Sequence, residues 1–174
     1  MSWFLRHADG TGQAPDAPLS PEGQCAAQAI VPALQSHDIT RIVSSPYARA
    51  RETVEPFAEA AHLTIHTDPR LREREHGAVP PGGWDREAEM MFADLDAAPF
   101  GGESLADVAE RGQTAVAEII AAGDGALIVT HGLWLSVILS AYGRPLDIPS
   151  WRAMPCPALF ELSDARAREL ELPR

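Results

Sequence analysis

Ser2-Trp3-Phe4-Leu5-Arg6-His7 is a short apolar run that stops at two basic side chains. It reads as a first strand, with Arg6 and His7 at its carboxyl end. It is too short for the core of a secretory leader, and no targeting segment is expected. Further along, short apolar runs alternate with longer amphipathic segments. That alternation predicts an α/β domain with a mostly parallel sheet, formed by residues 1–174 as one unit.

Working outward, Ser20-Pro21-Glu22 opens a helix, with Ser20 as N-cap and Pro21 at the first helical position. Ala26, Ile30 and Leu34 form its apolar stripe. Residues 41–45 are a second strand and residues 47–61 a helix burying Val54, Phe57, Ala58 and Ala61. Residues 64–67 suggest a third strand, and Pro80-Pro81-Gly82-Gly83 excludes regular structure around it. Helices are expected over 84–97, over 104–122 with Leu105, Val108, Val116, Ile119 and Ile120 on one side, and over 133–142. Residues 126–130 form a buried strand, and 158–162 with 169–172 a closing hairpin around Asp164.

Composition narrows the function. At 45% hydrophobic and 22% charged, the chain reads as an ordinary soluble globular protein. Its formal net charge is -11, and every basic residue other than histidine is Arg. Such a chain repels a polyphosphate backbone, so nucleic acid is not an expected partner. A small anion remains a fitting ligand if a few Arg and His side chains create a local positive pocket. No apolar run is long enough for a membrane span. Cys25 and Cys156 lack metal-type spacing and are expected to be free, buried thiols in a reducing compartment, which points to the cytoplasm.

Four strand-end features converge. Arg6-His7 follows the first strand, and Ser44-Ser45-Pro46-Tyr47-Ala48-Arg49 the second. Leu71-Arg72-Glu73 with Gly77 follows the third, and Val129-Thr130-His131-Gly132 ends the late buried strand. In an open parallel sheet, ligands bind beyond the carboxyl ends of the strands. Two His, two Arg and one Glu there suit phosphoryl transfer. Guanidinium forks bind phosphate oxygens in pairs, and a neutral imidazole is a nucleophile at neutral pH. A second imidazole, if protonated, can donate to the phosphoryl oxygens. A carboxyl group with a raised pKa can protonate the leaving oxygen.

The chain resembles the histidine phosphatase superfamily, also called the phosphoglycerate mutase-like family. The resemblance rests on Arg6-His7, residues 16–23, residues 44–50, Leu71-Arg72-Glu73 with Gly77, Gly102-Glu103-Ser104, and the strand end at His131. It implies a three-layer α/β/α sandwich. It also implies His7 as nucleophile, Arg6, Arg49 and His131 as phosphate ligands, and Glu73 as general acid, with no metal or other cofactor. Gly132 after His131 favours the branch with a Glu donor over the one with a His-Asp pair. Ala8 stands where that family usually has Gly, and Asp9, Gly10 and Gln13 replace its usual Glu-Thr and Asn. Gln13 is a candidate donor to phosphate, and His76 and Glu103 are candidate contacts.

The resulting expectation is a metal-independent phosphatase acting on a small phosphomonoester through a phosphohistidine. The alternatives are a phosphoglycerate mutase-type phosphotransferase, or a catalytically silent phosphate- or protein-binding module. The segment between Glu73 and Ser104 holds only Arg74, His76 and Arg86 as basic side chains, too few for a second anion clamp. His62 and His66 have helical metal-pair spacing, but Leu63-Thr64-Ile65 reads as a turn that separates them.

Overall fold

The computed structural model describes residues 1–163 and 166–173. A six-stranded sheet comprises β1 (Ser2–Arg6), β2 (Arg41–Ser44), β3 (Ile65–Thr67), β4 (Ala126–Thr130), β5 (Ala158–Ser163) and β6 (Arg166–Leu170), in the order β3-β2-β4-β1-β5-β6. The first four strands in that order run parallel, and β5 and β6 join antiparallel.

Side-chain alternation divides the core into two layers. Trp3 and Leu5 of β1, with Leu127 and Val129 of β4, pack on the face covered by α1 (Pro21–Ala29), α2 (Val31–Gln35) and α3 (Ala48–Ala61). Phe4 and Ile128 face α4 (Trp84–Ala93), α5 (Leu105–Ala121) and α6 (Gly132–Ser140). A short α7 (Ile148–Ala153), which no periodicity announced, packs Ile148 and Trp151 beside that second layer. The architecture is the expected three-layer sandwich. Both faces of β4 are covered, which is why all its residues are buried.

Local chemistry sets the helix ends. Ser20 caps α1 by accepting the Gly23 N–H, as expected. Ser104 and Asp107 form a reciprocal capping box at the start of α5. The expected stripe Ala26-Ile30-Leu34 does not lie on one helix. Pro32 has no N–H to continue the ladder, and the chain breaks at Ile30 into α1 and α2. The helix at 84 ends at Ala93, short of residue 97. Ile120 lies off the buried stripe of α5 and is exposed. The last strand lies at Arg166–Leu170, earlier than expected. As an edge strand it carries mostly exposed residues, so no apolar run marks it. Asp164, the expected turn, lies outside the described residues.

Candidate active site

Three neighbouring strands deliver the site. The backbone N–H of His7 donates to Thr130 O at 3.0 Å, and that of Ser45 donates to Val129 O at 2.8 Å. The chain exits of β1, β4 and β2 therefore sit side by side, and the rings of His7 and His131 meet edge to face with centroids 4.9 Å apart.

His7 Nδ1 lies 2.6 Å from the Ala8 carbonyl, which can only accept, so Nδ1 carries the proton and Nε2 a bare lone pair. Burial pushes this imidazole down to about 4, opposed by the Ala8 carbonyl and reinforced by Arg49 and Arg6. Ala8 is fully buried with its N–H on Thr53 Oγ1 at 2.9 Å, so the small side chain is accommodated.

Arg49 is buried at the first turn of α3. Its Nε donates to His7 Nε2 at 3.2 Å, and Nη1 donates to the carbonyls of Gln13 and Ala14 at 3.3 and 3.0 Å. Arg6 donates through Nη1 to the carbonyls of Met154 and Pro155. Its guanidinium lies against Gly132, where a Cβ would come within 3.0 Å of Cζ and Nε. Its charge acts on both His7 and His131.

His131 is fully buried. Its Nε2 lies 2.7 Å from Ser45 Oγ, and its Nδ1 has no hydrogen-bond partner among the described residues. Ser45 Oγ also accepts the Tyr47 N–H at 3.3 Å, so its proton is best spent on Nε2, leaving His131 Nδ1 as a free N–H donor. Burial, then His7 and Arg49, hold His131 well below the ordinary histidine range. The sequence reading made donation by a second histidine conditional on its protonation. The neutral tautomer already presents a donor.

Glu73 reaches the same place from the loop after β3. Its carboxylate accepts from Leu133 N at 3.1 Å, Trp134 N at 3.0 Å and Arg74 N at 3.0 Å, capping the otherwise uncapped N-terminus of α6. Glu75 is exposed and pairs with Arg72 at 3.1 Å. Glu103 accepts from Arg72 at 2.7 Å, from Arg111 at 2.9 Å and from Glu75 N at 2.9 Å. It therefore clamps the loop that bears Glu73. Arg111 in this clamp went unnoticed in the sequence, and Ser45 and Tyr47, quoted there within their strand-end motif, were given no role of their own. The ring of Tyr47 stands 4.9 Å from His131 and under Arg49 at 5.0 Å.

A cleft of about 280 Å³ is lined by Gln13, Tyr47, Arg49, Glu73, Arg74 and His76, among others. A larger groove of about 1170 Å³ runs between α1 and β6, and none of His7, Arg49, Glu73 or His131 lines it. Cys25 and Cys156 do, and both are free and exposed, not buried as expected. Cys25 sits on the outer face of α1, and Cys156 lies in the loop before β5, its thiol donating to the His7 carbonyl at 3.0 Å. His62 is the left-handed cap that ends α3 and His66 lies in β3, so the two do not share a helix.

Known proteins carry the same plan. A mycobacterial glucosyl-3-phosphoglycerate phosphatase aligns with a TM-score of 0.76 at 26% identity, covering 96% of this chain and 95% of its own. The alpha-ribazole phosphatase from Shigella flexneri, at 22% identity and a TM-score of 0.72 over 98% of this chain and 95% of its own, shares the fold. A curated relative from Salmonella paratyphi A, named "Probable phosphoglycerate mutase GpmB", is 30% identical over 148 residues, 78% of this chain. The chain spans 66% of that relative's length. Residues 2–166 match the family described as histidine phosphatase superfamily (branch 1), and the chain belongs to it.

Proposed function

We propose that residues 1–174 act as one metal-independent phosphatase that hydrolyses a small phosphomonoester through a phosphohistidine on His7. The phosphate enters the cleft and takes the Arg49 guanidinium away from His7 Nε2. Arg49, Arg6 and the Nδ1–H of His131 then hold the equatorial oxygens, with Gln13 at the rim. The Nε2 lone pair forms the N–P bond as the P–O bond to the alcohol breaks, and Glu73 supplies the proton that the alcohol oxygen takes up. Water next attacks phosphorus, its proton passes to Glu73, and breaking the N–P bond restores the neutral imidazole.

The observation that carries this reading is the tautomer of His7. Its Nδ1 proton is donated to the Ala8 carbonyl, and its Nε2 lone pair lies beneath a buried guanidinium. The test is turnover of an aryl phosphate with chelator present, with alkaline quench and mass spectrometry of the peptide bearing His7. A phosphate adduct on His7, lost in His7→Ala, is expected. No turnover by folded protein, or turnover abolished by chelator, would refute it.

The name of the Salmonella relative favours a second reading, mutase-type transfer. That reaction needs cations to hold a doubly anionic substrate, whereas Arg74 is already paired with Glu87 at 2.8 Å. Isomerisation of a phosphoglycerate dependent on a bisphosphate primer would establish it. A silent binding module is the third reading, and the neutral His7 nucleophile argues against it. The unpaired thiols of Cys25 and Cys156 support a cytoplasmic setting.

A further inference from the structure

The wall of the cleft beyond Glu73 is built on a buried ion pair that the hydrolytic steps do not use. Arg74 Nη1 meets Glu87 Oε1 at 2.8 Å, with both side chains at most 2% exposed. Arg74 Nε donates to the Glu103 carbonyl at 2.7 Å. Burying two charges is expensive unless their remaining hydrogen-bonding capacity is used. Here the second Glu87 oxygen reaches His76 Nδ1 at 3.0 Å.

His76 Nδ1 also lies 3.1 Å from Arg74 Nη1, which already donates to Glu87 Oε1 at 2.8 Å, while the second Glu87 oxygen has only Nδ1 as a donor; we therefore assign the His76 proton to Nδ1, which leaves Nε2 as an acceptor. Arg74 is neutralised by Glu87 and adds no net charge to the cleft. Glu75, also on its wall, adds a carboxylate that is paired with Arg72 at 3.1 Å. Beside His76 stands Trp84, the first residue of α4, edge to face at 5.0 Å and 53% exposed. An exposed indole next to fixed hydrogen-bonding groups offers an apolar plane for the C–H face of a ring, with acceptors for its hydroxyls.

We propose that His76 and Trp84 form a leaving-group subsite that selects neutral, polyhydroxylated, sugar-like alcohols over those bearing a carboxylate or a second phosphate. The proposal rests on the phosphatase reading above and names its substrate class. An anionic leaving group brings no proton for His76 Nε2 and meets Glu75. A hydroxylated ring donates to the first and stacks on Trp84.

The experiment compares kcat/KM for glucose 6-phosphate, 3-phosphoglycerate and para-nitrophenyl phosphate in the wild type, Trp84→Ala and His76→Ala. The sugar phosphate should exceed phosphoglycerate by about tenfold or more, and each variant should lower the sugar-to-aryl ratio by about tenfold, chiefly through KM. Phosphoglycerate turned over as well as or better than the sugar phosphate overturns the subsite. So does an unchanged ratio, or an equal loss on all three esters, which marks a structural role. If no ester is turned over at all, the phosphatase reading itself fails.

Discussion

Arg49 Nε points at His7 Nε2 from 3.2 Å, so the guanidinium covers the ring nitrogen that the proposed reaction uses. In the proposed reaction it covers the lone pair until the phosphate arrives and then becomes a ligand to it. Arg49→Ala should lower kcat on the order of 100- to 1000-fold and weaken competitive inhibition by inorganic phosphate. Arg49→Lys should recover little, because a point charge cannot reproduce the fork. Full activity in Arg49→Lys would show that charge alone suffices.

The buried His7 ring sets a pH signature. Its folded value lies at about 4, below the ordinary 6.5, so between those values the unfolded chain binds a proton that the folded chain does not. This contribution to stability is complete above about 6.5 and is lost as pH falls through the window. His131 shifts in the same direction and adds to the loss. NMR titration of the His7 ring should give a midpoint near 4, and a midpoint at 6.5 would contradict the burial argument.

Glu73 is assigned the proton needed by the leaving alcohol. Glu73→Gln should lower kcat for an alkyl phosphate by roughly 100-fold or more. The loss should be much smaller for para-nitrophenyl phosphate, whose leaving group needs little protonation. Because Glu73 also caps α6, a purely structural effect would reduce both substrates alike, and equal losses would remove it from proton transfer.

Gly77 supports the acid from behind. A Cβ there would lie 1.9 Å from the Phe100 carbonyl oxygen, and one at Gly102 would lie 2.4 Å from Glu75 O. The two backbones pass too closely for any side chain. Gly77→Ala should cost roughly 2–4 kcal/mol, visible as a melting point lower by more than about 5 °C. An unchanged melting point would mean that the loop moves aside freely.

Much of this was legible in the sequence because it depends on local rules. Short apolar runs marked β1 and β4, Ser20 and Ser104 announced helix starts, and strand-end positions gathered His7, Arg49, Glu73 and His131. What escaped depends on partners far along the chain. The bond from Ser45 to His131 spans 86 residues, and the clamp of Arg111 on Glu103 acts on a loop that neither belongs to. The thiols were misjudged because burial follows the facing of an element, not residue type.

The contact between Arg6 and Gly132 limits how this scaffold can change. A side chain at 132 must displace the guanidinium that a Cβ there would touch at 3.0 Å. A side chain after His131 therefore crowds the Arg6 guanidinium, which must give by a few tenths of an ångström to admit it. The spacing between strand end and helix start thus sets how bulky the residue after His131 can be before the Arg6 guanidinium shifts.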